Sequence, residues 1–170
     1  NQRMLQHLSL FTGYAGFDLA LRLAGIPFRS VAFVEIDPYC QKVIQARIKD
    51  GLLDDAPIWP DIRTLDGKEL AGLVDIITAG FPCQPHSTAG KRKGAADARN
   101  LWPDTARVVG EVRPQYVLLE NVPGLASESN GAEAYAYTVL ADLAALGYEC
   151  RWGIVGARDV GAPHRRDRWW

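Results

Sequence analysis

The sequence predicts an α/β fold, with a doubly wound and mostly parallel sheet. Apolar runs of strand length alternate with amphipathic helical patterns along the chain, which is typical of parallel sheets covered by helices. A glycine-containing turn joins the first predicted strand to the first predicted helix. Residues of unusual chemistry follow the carboxyl ends of strands, where open α/β sheets bind ligands. At 170 residues, 48% of them hydrophobic, the chain is long enough to bury roughly 70% of its unfolded surface in one domain.

The predicted elements alternate in order along the chain. Strands are predicted over residues 5–11, 31–35, 74–79, 116–121 and 149–155, and helices over residues 17–24, 38–49, 101–112 and 133–146. Asp37 and Pro38 suit the N-cap and first turn of the second helix, and Gly147 suits the C-terminal cap of the last. Residues 80–99 lack an apolar period but contain glycines, prolines and basic residues. A loop of that length inside a compact domain is usually functional.

Composition excludes several classes of protein. The net charge is −1, from 19 basic and 20 acidic side chains. A protein that binds nucleic acid through phosphate contacts alone would be basic, so such binding must come from local clusters. No apolar run is long enough to span a membrane, and a cytoplasmic location is expected. Three widely spaced cysteines without a C-x-x-C pair argue against a disulfide framework and a metal site. An abrupt start and end indicate a fragment.

Residues 11–17, with the sequence FTGYAGF, form a candidate cofactor loop. Glycine at position 13 lets the backbone approach a ligand, and the following helix offers unpaired N–H groups. Glu35 follows about 20 residues later, as suits a carboxylate that binds ribose hydroxyls. A plain turn and a surface carboxylate remain the alternative. Because Ala15 replaces the middle glycine of the dinucleotide fingerprint, a ligand without a pyrophosphate, such as S-adenosylmethionine, is favoured over a nicotinamide cofactor.

Cys83 is the candidate nucleophile. It stands between Pro82 and Pro85 at the exit of a predicted strand. Proline fixes φ, so the thiol is held by a restricted backbone. A lone cysteine is more often a small buried apolar residue. A thiol between prolines at the start of a long basic loop is, however, poorly suited to a core.

Four segments resemble motifs of the DNA cytosine C5 methyltransferases, in that family's order. Residues 80–84 (GFPCQ) resemble the nucleophile motif, and Ser87, Gly90, Lys91 and residues 99–101 resemble its continuation. Residues 119–122 (LENV), 11–17 and 163–168 (PHRRDR) are similar to the Glu-Asn-Val, cofactor-loop and Pro-Gln-x-Arg-x-Arg motifs. The resemblance implies the Rossmann-like fold of S-adenosylmethionine-dependent methyltransferases. It also implies that residues 1–170 form one catalytic domain, truncated before the target-recognition region and the C-terminal closing segment.

The resemblance also implies a mechanism. The Cys83 thiolate adds to C6 of a cytosine, C5 takes the methyl group, and the C5 proton and the thiol then leave. Glu120 protonates or hydrogen-bonds N3, and at least one of Arg166 and Arg168 is expected to hold O2 and steady the glutamate. A free thiol is already about one tenth ionised at pH 7.5, so complete ionisation adds only about tenfold in rate. The larger barrier is charge on the ring, which Glu120 addresses; the apolar run before it favours the neutral acid.

The implied binding residues fall into two sets. The cofactor set, for S-adenosylmethionine, is Phe11, Gly13, Gly16, Glu35, Ile36, Asp61, Ile62, Pro82 and Leu101. The DNA set is Gln84, Ser87, Lys91, Arg92 and Arg99. The expected partner is double-stranded DNA with its target cytosine flipped out, which costs a few kcal/mol. A monomer is expected.

The sequence departs from the family pattern at three positions of the cofactor site, and the first is Ala15, which replaces a glycine common in the cofactor loop. Pro60 replaces the glycine before Asp61, and Ile36 stands where the family often has a larger apolar or aromatic residue. Three alternatives remain: a related tRNA cytosine methyltransferase, a non-catalytic binding module and a hydride-transfer enzyme. Methylation assays on tRNA and duplex DNA separate the first. Loss of the nucleophile or acid would favour the second, and binding of S-adenosylmethionine against NAD tests the third.

Overall fold

The computed structural model describes residues 3–82, 100–127 and 134–170. Its helices are α1 (Gly16–Leu23), α2 (Pro38–Lys49), α3 (Trp102–Val112) and α4 (Tyr135–Ala145). Its strands are β1 (Leu5–Leu10), β2 (Phe28–Val34), β3 (Ile58–Trp59), β4 (Ile76–Ala79), β5 (Tyr116–Leu119), β6 (Ile154–Val155) and β7 (Arg168–Trp169).

Strands β1 to β5 form one sheet in the order β3-β2-β1-β4-β5. The pairs β1–β2, β1–β4 and β2–β3 are parallel. The chain runs outward from β1 to β3 on one side and continues from β4 to β5 on the other. The strand order therefore reverses between β1 and β4, which is where doubly wound sheets bind ligands at their carboxyl edge. The predicted fold class is confirmed.

Local signals place the helix boundaries well. Helix α2 has the predicted bounds, because Asp37 accepts hydrogen bonds from the backbone N–H groups of Tyr39 and Cys40, at 2.7 and 3.0 Å, and Pro38 opens the first turn. Gly147 follows α4 with φ of 91°, the left-handed conformation expected at a helix end.

Two strand predictions need correction. Residues 149–155 were predicted to be one strand, but only Ile154–Val155 is extended in a ladder, and it pairs antiparallel with β7 in a separate two-stranded sheet. Gly153 also exchanges two backbone hydrogen bonds with Trp170, so the pairing covers residues 153–155 and leaves residues 149–152 outside it. Strand β3 was not predicted, because Ile58–Trp59 lies between Pro57 and Pro60 and is too short to show a period.

The chain divides into two compact units, one of Asn1–Gly80 with Arg107–Leu118 and the other of Phe81–Ala106 with Leu119–Trp170. The core of the first unit includes the fully buried Leu8, Leu10, Phe33, Ile44 and Ile77. The core of the second includes Trp102, Leu125, Val139, Leu143 and Trp169. That residues 1–170 act as one domain stays a prediction. No helix in the described ranges is long and apolar enough to cross a membrane.

Candidate cofactor and base-binding sites

The loop between β1 and α1 has a strained backbone. Phe11, Gly13 and Ala15 have φ of 52°, 54° and 61°. Positive φ costs non-glycine residues about 1–3 kcal/mol each, so the surrounding structure must hold this shape. A Cβ placed on Gly13 would have only the Phe11 carbonyl oxygen nearby, at 3.9 Å, and one on Gly16 would meet nothing within 4 Å. The backbone at both glycines is therefore open to close approach by a ligand.

Glu35, at the carboxyl end of β2, joins this loop directly. Its Oε2 accepts a hydrogen bond from the Gly13 N–H at 2.6 Å, and its Oε1 accepts one from the Asp37 N–H at 2.9 Å. The Thr12 N–H donates to the Val34 carbonyl at 3.1 Å. The predicted loop and the predicted carboxylate are thus brought together. A carboxylate has about four lone-pair sites, so two remain that can accept hydroxyl groups of a ribose.

The other cofactor candidates of the first unit, Ile36, Asp61 and Ile62, differ in their exposure and contacts. Ile36 is 58% exposed directly after Glu35, so its side chain presents an apolar surface. Asp61 accepts hydrogen bonds from the guanidinium of Arg63 and from its backbone N–H, and the guanidinium contributes most to holding the pKa of the Asp61 carboxyl below its ordinary value. Ile62 is only 3% exposed, and its carbonyl accepts a hydrogen bond from Arg107 Nη2 at 2.7 Å. Its side chain therefore belongs to the core of this unit.

Pro82 and Leu101 lie in the second unit, at the two ends of a segment whose residues are not described. The Leu101 N–H donates to the Pro82 carbonyl at 3.3 Å. Beside Leu101, the Asn100 side chain donates to the Tyr135 hydroxyl at 2.7 Å and accepts from the Trp102 N–H at 3.2 Å. These contacts hold both ends of the segment. The predicted nucleophile and DNA-binding residues lie outside the described residues: Cys83, Gln84, Ser87, Lys91, Arg92 and Arg99.

The two described cysteines, Cys40 and Cys150, lie in surroundings that disfavour the thiolate form. Partial burial, followed by the negative charges of Glu35 and Asp37, raises the pKa of the Cys40 thiol. Burial raises the pKa of the Cys150 thiol as well. Because the thiolate is the reactive form, both environments disfavour nucleophilic chemistry. Among the described residues, no group of three or more His, Cys, Asp or Glu side chains could hold a metal ion.

The predicted acid and one predicted arginine are in contact within the second unit. Arg168 Nε lies 2.7 Å from Glu120 Oε1, and the two side chains are 23% and 26% exposed. Arg168 Nη1 also donates to the Asp167 carbonyl at 2.8 Å, which fixes the guanidinium from the other side. Arg166 is exposed and has φ of 40°. Of the two predicted arginines, Arg168 is therefore the one seen in contact with the glutamate.

Asn121 is a positioning residue that the sequence reasoning did not single out. Its side-chain Nδ2 donates to the Phe81 carbonyl at 2.8 Å, and its backbone exchanges hydrogen bonds of 2.9 and 2.8 Å with Trp169. Asn121 thus connects the chain just before Pro82 to the strand that carries Arg168. In the sequence, the available indication was the position of Asn121 directly after Glu120. A buried amide side chain carries donors and an acceptor that need partners, so an asparagine at this position is expected to hold neighbouring backbone in place.

A comparison with known proteins gives the context for these contacts. The sequence profile of the family described as C-5 cytosine-specific DNA methylase matches residues 5–170. The chain is 34% identical over 163 residues to the Type II methyltransferase M.CviJI of Paramecium bursaria Chlorella virus IL3A, covering 95% of this chain and 41% of that protein. It is 35% identical over 165 residues to the Type II methyltransferase M.HhaI of Haemophilus parahaemolyticus, covering 96% and 47%.

Solved structures agree with the fold. The chain matches the crystal structure of the S. pombe Dnmt2 methyltransferase with a TM-score of 0.69 and 27% identity, over 97% of this chain and 49% of that one. A Spodoptera frugiperda DNMT2 structure matches with a TM-score of 0.77 at 22% identity, over 97% and 48%, which supports the fold alone. The chain spans about half the length of the curated relatives it matches. With a family profile that extends over nearly all its residues, the chain belongs to the C-5 cytosine-specific DNA methylase family.

Proposed function

We propose that this chain is the cofactor-binding and catalytic portion of an enzyme that transfers a methyl group from S-adenosylmethionine to C5 of a flipped cytosine in DNA. The observation that carries the proposal is the 2.7 Å contact between Arg168 Nε and Glu120 Oε1. It joins two segments that resemble separate family motifs, and it orients the carboxyl that the reaction requires. Family membership supports the same reaction.

The residues of the first unit fit the cofactor. The Glu35 carboxylate keeps lone pairs for the ribose hydroxyls, and the open backbone at Gly13 and Gly16 allows close approach. Ile36 offers an apolar face to the adenine, and Asp61 lies at the start of the following turn. Phe11, Ile62, Pro82 and Leu101 complete the proposed set. When bound, the cofactor supplies a methyl group on a positively charged sulfur.

In the proposed reaction, Cys83 Sγ forms a bond to C6, and the electron pair displaced from the C5–C6 double bond makes C5 nucleophilic. C5 then takes the methyl group. A proton leaves C5, the S–C6 bond breaks, and the thiolate returns. Glu120 donates a hydrogen bond or a proton to N3, while Arg168 keeps its carboxyl in place and Arg166 is a candidate for O2. General acid catalysis of this kind contributes about 10²–10⁴ in rate.

Duplex DNA is the proposed substrate because the matching family is described as a C-5 cytosine-specific DNA methylase. The target base has to leave the stack to reach Cys83, at a cost of a few kcal/mol. Lys91, Arg92 and Arg99 are proposed to contact phosphates, and Gln84 and Ser87 to lie beside the flipped nucleotide. These basic residues lie close together in the sequence, which suits a chain whose overall net charge is nearly neutral.

The test uses the longest natural chain that contains residues 1–170, with duplex DNA in which 5-fluorocytosine replaces cytosine. Fluorine at C5 cannot leave as a proton, so the adduct accumulates. We expect a covalent complex that needs S-adenosylmethionine, disappears in Cys83→Ser and persists in the matched Cys40→Ser control. An adduct that survives Cys83→Ser would refute the nucleophile. Trapping by fluorinated tRNA, and not by duplex DNA, would move the substrate to RNA.

A further inference from the structure

A buried polar network lies in the first unit beneath the cofactor loop. It contains one carboxylate, one imidazole and four hydroxyl groups, and each residue is at most 7% exposed. None of them belongs to the proposed catalytic or binding set. The members are His7, Ser9, Thr12, Asp18, Ser30 and Thr78.

Asp18, in the first turn of α1, is the acceptor at the centre of this network. Ser9 donates its hydroxyl to Asp18 Oδ2 at 3.1 Å, and Ser30 donates its hydroxyl to Oδ1. A carboxylate has no hydrogen to give, so both serine hydroxyls must point toward it. Burial alone would raise the pKa of Asp18, but the hydrogen bond and charge of His7 and the two serine hydroxyls hold it below its ordinary value.

On the side away from the loop, the network continues through His7. Its Nδ1 lies 2.9 Å from Ser30 Oγ, and its Nε2 lies 2.8 Å from Thr78 Oγ1. Because the Ser30 hydrogen is committed to Asp18, Nδ1 must carry the hydrogen that it shares with Ser30. Nδ1 also lies 3.4 Å from Asp18 Oδ1, so the imidazole faces the carboxylate directly. The Ser30 hydroxyl and the His7 Nδ1–H group therefore both lie beside the carboxylate.

On the other side, the network reaches the loop itself. Thr12 Oγ1 lies 3.0 Å from Ser9 Oγ and 3.0 Å from the Ser9 carbonyl oxygen, and its single hydrogen is shared between these two acceptors. Ser9 Oγ can accept this hydrogen because its own is given to Asp18. Thr12 lies between Phe11 and Gly13, two of the loop residues with positive φ. The hydrogen bonds that begin at Asp18 therefore reach the strained segment of the loop through Ser9 and Thr12.

We propose that Asp18 is a positioning residue for the cofactor loop: acting through Ser9 and Thr12, its buried carboxylate holds residues 11–15 in the conformation that receives the cofactor. The cofactor part of this inference rests on the proposed function. Hydrogen bonds to the Glu35 carboxylate and the Val34 carbonyl fix the outer side of the loop, and the network fixes its inner side. Such preorganisation stabilises a bound ligand by reducing the ordering needed on binding.

The experiment compares two single-hydroxyl deletions at register partners. Ser9 and Thr78 face each other across β1 and β4, and both are buried. Ser9→Ala cuts the connection to the loop, whereas Thr78→Val removes a hydroxyl of similar burial at the far end. Asp18→Asn keeps the shape but introduces amide hydrogens and removes the charge. Amide hydrogen exchange of Thr12, Gly13 and Ala15 is measured first, followed by the Kd for S-adenosylmethionine and the free energy of unfolding.

We expect Ser9→Ala and Asp18→Asn to speed exchange of the three loop amides and to raise the Kd, each by about tenfold, as is typical for loss of a hydrogen bond to a charged group. Thr78→Val should lower stability while leaving both quantities near wild type. Equal effects in Thr78→Val and Ser9→Ala would show a purely structural network and overturn the proposal. If Asp18→Asn does not fold, Ser9→Ala carries the test.

The two proposals fail in different ways. A wild-type chain that does not bind S-adenosylmethionine, yet shows faster loop exchange in Ser9→Ala and Asp18→Asn than in Thr78→Val, would remove the cofactor assignment and keep the control of the loop by Asp18. A wild-type chain that binds the cofactor, with variants that match it in exchange and affinity, would keep the proposed function and remove the role of Asp18.

Discussion

The cofactor loop of the first unit and the Glu120–Arg168 pair of the second are held by opposite means. The loop has a costly backbone conformation supported from inside by buried hydroxyls and a carboxylate, each hydrogen of which has an acceptor. Glu120 and Arg168 are each about one quarter exposed and meet through one charged contact. A region that binds a ligand can be held rigidly by many weak contacts. A side chain that exchanges protons needs access to the substrate, so it is held by only a few contacts.

The comparison predicts that single substitutions do more damage to catalysis at the exposed pair than at the supported loop. Glu120→Gln should lower methyl transfer by about 10²-fold or more, because an amide cannot supply a proton to N3. Transfer of tritiated methyl groups to duplex DNA measures this, and the Kd for S-adenosylmethionine should stay unchanged. Glu149→Gln, at an exposed position, is the control. Normal turnover in Glu120→Gln would remove its catalytic role.

A substitution in the loop region should change affinity more than turnover. Glu35→Gln replaces the charged acceptor for the Gly13 and Asp37 N–H groups, and hydrogen bonds to charged groups contribute about 1.5–3 kcal/mol. We expect the Kd for S-adenosylmethionine to rise by at least about tenfold in a calorimetric titration. Glu69→Gln, another exposed acid of the same unit, should bind normally. Equal affinities in the two variants would mean that Glu35 does not bind the cofactor.

The arginine of the pair should matter less than the glutamate. Arg168→Lys keeps the charge but loses Nε, the atom that contacts Glu120, and a lysine cannot reproduce the planar guanidinium. Methyl transfer should fall by about tenfold, with unchanged cofactor affinity. Arg151→Lys, an exposed arginine of the same unit, should match the wild type. A loss as large as that of Glu120→Gln would indicate that Arg168 contacts the base itself.

The smallest expected effect is on the free energy of unfolding at low pH, through the Asp18 carboxylate that supports the loop. The pKa of Asp18 is held below its ordinary value of 3.8, so the charged carboxylate stabilises the fold fully above that pH, and the contribution is lost as the pH falls through the folded-state pKa. Urea unfolding at a series of pH values should therefore show a shallower acid slope for Asp18→Asn than for wild type. The exposed Asp55→Asn should retain the wild-type slope, and parallel slopes for all three would contradict this account.

The sequence predicts what depends on neighbouring residues. Helix α2 was correctly bounded because its cap, Asp37, and its first proline lie beside it. Strands β3 and β7 were not predicted and β6 was predicted too long, since the extent of each depends on partners elsewhere in the chain. The buried network escaped for the same reason: His7 meets Ser30 and Thr78 across sequence separations of 23 and 71 residues. No local pattern encodes that register.

The candidate site was accessible in a different way. The spacing of glycine and acid in doubly wound sheets was enough to assign Gly13 and Glu35 to one site. In the structure, the Gly13 N–H donates to Glu35 Oε2 at 2.6 Å. The contact of Glu120 with Arg168 was expected only from the resemblance to the family, because neither local sequence predicts a contact with the other. Asn121 was quoted only as part of a motif. Its structural role follows from three hydrogen bonds to the backbone of two residues, Phe81 and Trp169, that the fold brings to it.

Ala15 limits how far this loop can diverge. Its φ of 61° disfavours residues with bulky or branched side chains, and its side chain, only 4% exposed, leaves little volume for asparagine or aspartate. Glycine removes the backbone cost and alanine fills the space, so these two residues satisfy both restraints. Saturation mutagenesis followed by selection for methylation should recover only alanine and glycine at position 15. Sequence variation in the loop is then forced toward exposed neighbours such as Tyr14.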